Sequence, residues 1–235
     1  MPKTIAILGG SFNPPHEGHF EMGRHIYETL GVDEVWIMFS INRFKDPAQY
    51  ASIEDRMEMG RIMAKHYPDI PFVMSDVEDR MDTHESYFVM QKLKEENPGD
   101  NFIWVMGADN LIEFHNWSHA EEFLNEIPIA IVDREPYTTQ ARESSILRHH
   151  PGIETGAPAD LLDHARENRG GVCFVGNPGL SMSSSHLLEE MRQGKRDFDG
   201  PFQDVADHIL EKGLYGFDRP AKTPGPTPST RPPAP

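Results

Sequence analysis

The residues best suited to chemistry lie near the start of the chain, in Gly9-Gly10-Ser11-Phe12-Asn13-Pro14-Pro15-His16-Glu17-Gly18-His19. The stretch follows an apolar run, Thr4 to Leu8, that reads as a buried strand, and it leads into a helical pattern beginning at or after Pro15. In open α/β sheets ligands bind at that end of a strand. His16 and His19 are three apart and share one face of the first helical turn. Backbone N–H groups at a helix start have no partner within the helix, so the place suits phosphate. Gly9 and Gly10 let backbone approach a ligand closely. Imidazoles beside free N–H donors suggest phosphate chemistry. The same spacing also fits two ligands of a metal, and a lone Gly-Gly or His is often only a turn or a surface residue.

Three further stretches carry polar groups at places where elements end. Gly107 and Asp109 stand just past the apolar run ending at Met106, on the same edge as the first motif. A carboxylate there accepts hydrogen bonds from sugar hydroxyls or amides, and Trp117 offers a flat face to an aromatic ring. Capping for Asp109 and core packing for Trp117 are the bland alternatives. Asn42, Arg43 and Lys45 form a basic loop that could face phosphates or simply solvent. Ser183, Ser184 and Ser185 precede the apolar periodicity of Leu187, Leu188 and Met191. Such serines mark a helix start, with hydroxyl and N–H donors for phosphate or for capping alone.

Composition sets the outer limits. At 235 residues the chain is long enough for one α/β domain plus a tail. A net charge of −16 argues against a general nucleic-acid binder but not against a nucleotide ligand. The single Cys173 has no internal disulfide partner and sits in an apolar run, so it reads as core. With no signal peptide and no long apolar segment, a cytoplasmic protein without a membrane partner is expected. Oligomeric state is not legible.

Six short apolar runs read as strands: Ile5–Leu8, Glu34–Phe39, Pro71–Ser75, Asn101–Met106, Pro128–Val132 and Val172–Val175. Helical patterns between them cover Glu17–Leu30, Ser52–His66, Glu85–Glu95 and Ala120–Leu124. That alternation argues for a parallel sheet with helices on both faces. Phe20, Gly23, Tyr27 and Leu30 form one stripe of the first helix, with Ile26 beside it, and should pack on the sheet. Met57, Met59 and Met63 read as packing. Arg134 to Arg169 shows only one or two short helices. From Pro220 onward seven of the last sixteen residues are proline, which predicts a disordered tail over 218–235 behind a domain of residues 1–217.

The first motif, GGSFNPPHEGH, resembles the N-terminal signature of nucleotidylyltransferases with HxGH, in the longer form of the nicotinate-nucleotide adenylyltransferases. GADNLxxFHxW, residues 107–117, resembles that family's second signature. Asn42 and Lys45 match its N-P-x-K, with Arg43 in place of proline. Ser52, Arg56 and Met59 resemble its S-x-x-x-R-x-x-M helix, and Asp76-Val77-Glu78 followed by Ser86-Tyr87 its E…SYT segment. Phe88 stands where threonine is expected. Ser181 to Leu188 resembles ISSTxIR, with Leu188 in place of its arginine. Arg134 matches the first residue of an R-P-G segment and the next two differ.

The resemblance implies a Rossmann-like fold of nucleotidylyltransferase type. It implies transfer of AMP from ATP to nicotinate mononucleotide, giving deamido-NAD and pyrophosphate, with Mg²⁺ arriving on ATP and no dedicated metal cage. His16, His19 and Lys45 would be catalytic. Gly9, Gly10, Ser11, Phe12, His16, His19 and Ser183 to Ser185 would bind ATP. Arg192, one turn beyond Leu188, would supply the missing charge. Asn42, Lys45, Asp109, Trp117 and Arg134 would bind the pyridine nucleotide. Nicotinamide mononucleotide or another phosphate acceptor, and a non-catalytic nucleotide-binding relative, are the alternatives. Pantetheine-phosphate adenylyltransferase shares HxGH but neither the second signature nor this length.

Overall fold

A computed structural model describes residues 2–40, 50–81, 83, 85–179 and 182–218. Asn42 and Lys45, the serine at 181 and the proline-rich tail lie outside these residues.

The strands are β1 (Thr4–Gly10), β2 (Glu34–Phe39), β3 (Phe72–Ser75), β4 (Asn101–Gly107), β5 (Pro128–Val132) and β6 (Gly171–Phe174). They form one parallel sheet in the order β3-β2-β1-β4-β5-β6. All six expected strands are present. They were legible because strands buried on both faces read as continuous apolar runs. The period of two then divides each run between two cores. Ala6, Leu8, Val35, Ile37, Ile103 and Val105 face one core, and Ile5, Ile7, Phe102, Trp104 and Met106 face the other.

The helices are α1 (Glu17–Leu30), α2 (Ile53–Ala64), α3 (Val77–Arg80), α4 (Ser86–Glu96), α5 (Ala108–Glu113), α6 (Ala120–Glu126), α7 (Tyr137–Arg142), α8 (Ser145–His149), α9 (Pro158–Arg166), α10 (Ser184–Arg192) and α11 (Phe202–Lys212). Residues of α1, α2, α9, α10 and α11 pack in the first core, and residues of α3 to α8 in the second. In α1 the buried residues are Phe20, Gly23, Ile26 and Leu30. Ile26 therefore takes the buried place given to Tyr27 by the sequence pattern, and Tyr27 sits at the margin of the core. Met59 and Met63 are buried and Met57 packs beside them, as expected. Cys173 is buried. The stretch from Arg134 to Arg169 holds three short helices, α7, α8 and α9, rather than one or two.

Strand β6 enters the sheet under the end of α6. The Gly170 N–H donates to the Asn125 carbonyl at 2.8 Å, and a Cβ on Gly170 would lie 1.9 Å from the Leu124 carbonyl oxygen. Backbone cannot step aside as a side-chain tip can, so overpacking here is severe. Gly170→Ala should destabilise the protein by roughly 3 kcal/mol, read as a fall in denaturation midpoint. An unchanged midpoint would mean that β6 docks differently.

Candidate active site

The order of the strands reverses direction between β1 and β4, and the loops leaving their carboxyl ends part there. A cavity of about 470 Å³ occupies this place. Gly9 to Phe12, His16 and His19 line one side, and Trp104, Asp109, Trp117 and Arg134 line another. The two signatures thus meet in one space.

His16 is the N-cap of α1, with φ −150°. Its ring stacks on that of His19 at a centroid distance of 3.7 Å. The His16 backbone N–H donates to His19 Nδ1 at 3.3 Å. A neutral His19 with Nδ1 accepting carries its proton on Nε2, where it can donate. Phe12 fixes the ring from behind, edge-on to His19 at 4.8 Å and to Phe39 at 5.2 Å. It does so with a backbone φ of 43°, a region that bulky residues rarely occupy. The glycines also serve a purpose beyond ligand approach. A Cβ on Gly9 would meet the Trp104 ring at 3.1 Å, and one on Gly10 would meet the Phe12 ring at 3.0 Å. Their lack of a side chain therefore makes room for the cavity's own aromatic walls.

Arg56 holds the turn in place. Its guanidinium is buried and donates to the carbonyls of Ser11, Ser40 (2.8 Å) and Ala51 (3.2 Å). One side chain therefore ties together the first turn, the end of β2 and the start of the α2 segment. Asn13 Oδ1 adds a second tie, accepting from Ala51 N–H at 3.2 Å and from Tyr215 Oη at 2.9 Å.

On the opposite wall, Arg134 Nη1 donates to Asp109 Oδ2 at 3.2 Å. Asp109 Oδ1 is buried without a partner. A Cβ on Gly107 would lie 2.5 Å from that oxygen, so the glycine lets the carboxylate fold back over the end of β4. Trp117 packs at 5.1 Å from Phe114 and edge-on to Trp104 at 6.3 Å. Phe88, at the position expected to be threonine, is exposed and packs edge-on to His119 at 4.9 Å rather than lining the cavity.

The serines are only partly drawn in. Ser184 Oγ donates to the Pro14 carbonyl at 2.8 Å, fastening the start of α10 to the first turn. Ser183 lines a second cavity of about 540 Å³, which shares Arg134 and Met182 with the first, and Ser185 is exposed. Arg192 is not brought to either cavity; it is half exposed, with Nη1 3.9 Å from Glu189. The helix explains why. Leu187, Leu188 and Met191 define the buried arc of α10, and Arg192 falls about 40° beyond Leu188, outside that arc. Among the described residues, Lys195, paired with Glu190 at 2.9 Å, joins Arg134 in lining the second cavity.

With this geometry in place, the chain can be set beside known proteins. The model of the cytidylyltransferase-like family matches residues 7–169. A Cereibacter sphaeroides protein called "Probable nicotinate-nucleotide adenylyltransferase" is 30% identical over 184 residues, covering 78% of this chain and 96% of its own length. The chain belongs to this family. A relative of the same name from Parvibaculum lavamentivorans is 37% identical over 141 residues, 60% of this chain and 69% of its own. The nicotinic acid mononucleotide adenylyltransferase of Plasmodium falciparum, solved complexed with APC, shares the fold with a TM-score of 0.66 at 19% identity. It covers 92% of this chain and 98% of its own. The protein is thus a nucleotidyltransferase of NAD biosynthesis, with the Rossmann-like architecture of its relatives.

For this nucleotidyltransferase the sequence motifs brought out the two histidines and the Asp109 wall. They did not bring out Trp104, read only as a strand residue, nor Tyr215, which lies beyond the matched motifs. Arg56 appeared as a motif match with no role attached.

Burial pushes the His16 imidazole down to about 4, and burial together with the neighbouring His16 pushes His19 well below the usual value. In the unfolded chain both would titrate near 6.5. Between about pH 6.5 and 4 the unfolded state therefore binds more protons, and stability falls as pH falls through that window. For His16 the full effect is roughly 3 kcal/mol. A His16→Gln variant should show a shallower loss of stability between pH 6.5 and 4 than the parent, measured by urea unfolding. Parallel curves would contradict the burial of a neutral imidazole. Arg192→Ala should leave the KM for ATP within about twofold; a tenfold rise would show that the side chain swings into the site.

Proposed function

We propose that this nucleotidyltransferase transfers AMP from ATP to nicotinate mononucleotide, releasing pyrophosphate and forming deamido-NAD in the cytoplasm. The supporting observation is that one cavity joins the stacked histidines to the wall of Asp109, Trp117 and Arg134. The names of the relatives point the same way, as does the Plasmodium falciparum enzyme solved complexed with NaAD.

In this reading the phosphate of the mononucleotide attacks the α-phosphorus of ATP in line, and the bond to the bridging oxygen of pyrophosphate breaks. Such a transfer asks the protein for positioning and charge stabilisation rather than covalent chemistry. The His19 Nε2–H donates to a phosphate oxygen on which negative charge grows. His16, whose Nδ1 has no partner, supports the same group. Proximity to phosphate opposes the effect of burial on both imidazoles, and a neutral His19 already donates from Nε2 while its Nδ1 keeps accepting from the His16 N–H. N–H groups of the Ser11–Phe12 turn and the start of α1 face the same anion. Lys45 and Asn42, outside the described residues, keep the roles that the resemblance implies: Lys45 in catalysis, and both at the pyridine nucleotide. The pyridine ring stacks on Trp117, and Asp109, held by Arg134, accepts from a hydroxyl.

Mg²⁺ is proposed to come with ATP and to neutralise triphosphate oxygens. Among the described residues no three His, Cys, Asp or Glu side chains converge to hold an ion. Among the described residues no helix is long and apolar enough to cross a membrane.

A second reading takes nicotinamide mononucleotide as acceptor. The position of Phe88 favours keeping it, because no hydroxyl at that position reaches the cavity to meet a pyridine carboxylate. ATP and Mg²⁺ offered with the acid, the amide and phosphopantetheine in turn decide between these. Pyrophosphate and dinucleotide should appear fastest with the acid; faster turnover of the amide establishes the second reading, and product from phosphopantetheine alone defeats both. His19→Ala should lower kcat by roughly 10²-fold or more while changing ATP binding only a few-fold. Near-parental turnover would remove His19 from the reaction.

A further inference from the structure

Four buried polar atoms without a hydrogen-bond partner lie on residues of the same cavity: His16 Nδ1, Trp104 Nε1, Asp109 Oδ1 and Asp133 Oδ1. The proposed reaction gives His16 and Asp109 their roles. Asp133 has none. It stands immediately past the end of β5, one residue beyond Val132, which pairs in register with Gly107.

The backbone of Asp133 is fixed on both sides to the segment that follows β6. Its N–H donates to the Gly176 carbonyl at 3.0 Å, and its carbonyl accepts from Asn177 Nδ2 at 2.5 Å. Asn177 Oδ1 in turn accepts from the Gly179 N–H at 2.7 Å, closing the loop on itself. This wall of the cavity is therefore a stapled backbone loop carrying two carboxylates, Asp133 and the exposed Glu135, and of the two only Asp133 has a buried oxygen without a partner among the described residues. A carboxylate only accepts hydrogen bonds, and an oxygen of it kept from water without a donor, as Asp133 Oδ1 is, is destabilising until something donates to it. Phosphate cannot do so, and like charge drives it away. Arg134 is engaged with Asp109 Oδ2 on the neighbouring wall. A ligand filling the cavity must thus direct its phosphates to the histidines and an O–H or N–H donor to Asp133.

The proposed function, on which this step rests, assigns the wall after β4 to the pyridine nucleotide. Asp133 lies a further strand away, between the exits of β5 and β6. We infer that Asp133 is a substrate-binding residue that accepts a hydrogen bond from the adenosine half of ATP, either from a ribose hydroxyl or from the adenine amine. It orients ATP and takes no part in bond making.

Asp133→Ala and Asp133→Asn test this. No described residue hydrogen-bonds the carboxylate and its buried oxygen is unsatisfied in the free protein, so neither variant should lower the melting temperature. Asp133→Ala should raise the KM for ATP ten- to hundredfold, the effect of losing a hydrogen bond to a charged group, with the mononucleotide KM moved less than about twofold. Asp133→Asn, which keeps an acceptor oxygen, should fall between. Three analogues identify the donor: 2′-deoxy-ATP, 3′-deoxy-ATP and the triphosphate of purine riboside, which lacks the amine. One of them should be discriminated against by the parent and not by Asp133→Ala. The inference is overturned if the ATP KM is unchanged, if the mononucleotide KM moves instead, or if parent and variant discriminate equally against all three. Calorimetric binding of ATP without any acceptor gives the same comparison. A parent that binds ATP yet forms no dinucleotide would count against the proposed reaction alone.

Discussion

Parallel pairing of β1 with β2 on one side and with β4 on the other is the constraint on which the rest of the structure depends. Crossovers between parallel strands keep one hand, so reversing the strand order sends successive helices to opposite faces of the sheet. The loop after β1 then leads to α1 on one face, while the loop after β4 leads to α5 on the other. None of the described residues fills the gap between them at the carboxyl edge, and the cavity is that gap. The histidines reach it from one side and Asp109 from the other.

Position alone does not give an exact site. The first turn is held by a buried charge, Arg56, whose Nε and Nη1 donate to carbonyls of three separate segments. Burial also pushes its pKa down from the usual guanidinium value, although it stays charged. Behind the turn, Phe12 accepts an unfavourable backbone conformation so that its ring can support His19. Strain of this kind persists only where the surroundings over-determine it, and the Arg56 clamp and the Asn13–Tyr215 contact supply that support. The C-terminal segment thus takes part in shaping a motif some two hundred residues before it.

Much of this was legible in the sequence, and what was not has physical reasons. The strands stood out because both their faces are buried. Helix α1 stood out through its apolar stripe. Helices α3 and α5 are too short, at four and six residues, for a periodic pattern to form. Helix α11 does carry the signal, with Phe202, Val205, Ala206 and Ile209 spaced along one face. The i+4 spacing from Leu188 suggests a shared face for Arg192, but it does not show on which side of Leu188 the helix is buried. The buried arc of α10 is centred on the other side of Leu188. The unpartnered acid of Asp133 could not be seen in the sequence at all, since an aspartate after a strand is ordinary until its surroundings are known.

The central claim is that one cavity holds the reacting phosphates against the histidines and the pyridine ring against Trp117. A crystal structure with deamido-NAD bound tests it most directly. The account predicts dinucleotide phosphate oxygens within hydrogen-bond reach of His19 Nε2 and the pyridine ring stacked on Trp117. A dinucleotide whose phosphates lie away from the two histidines, or whose pyridine ring sits on another wall, would contradict it.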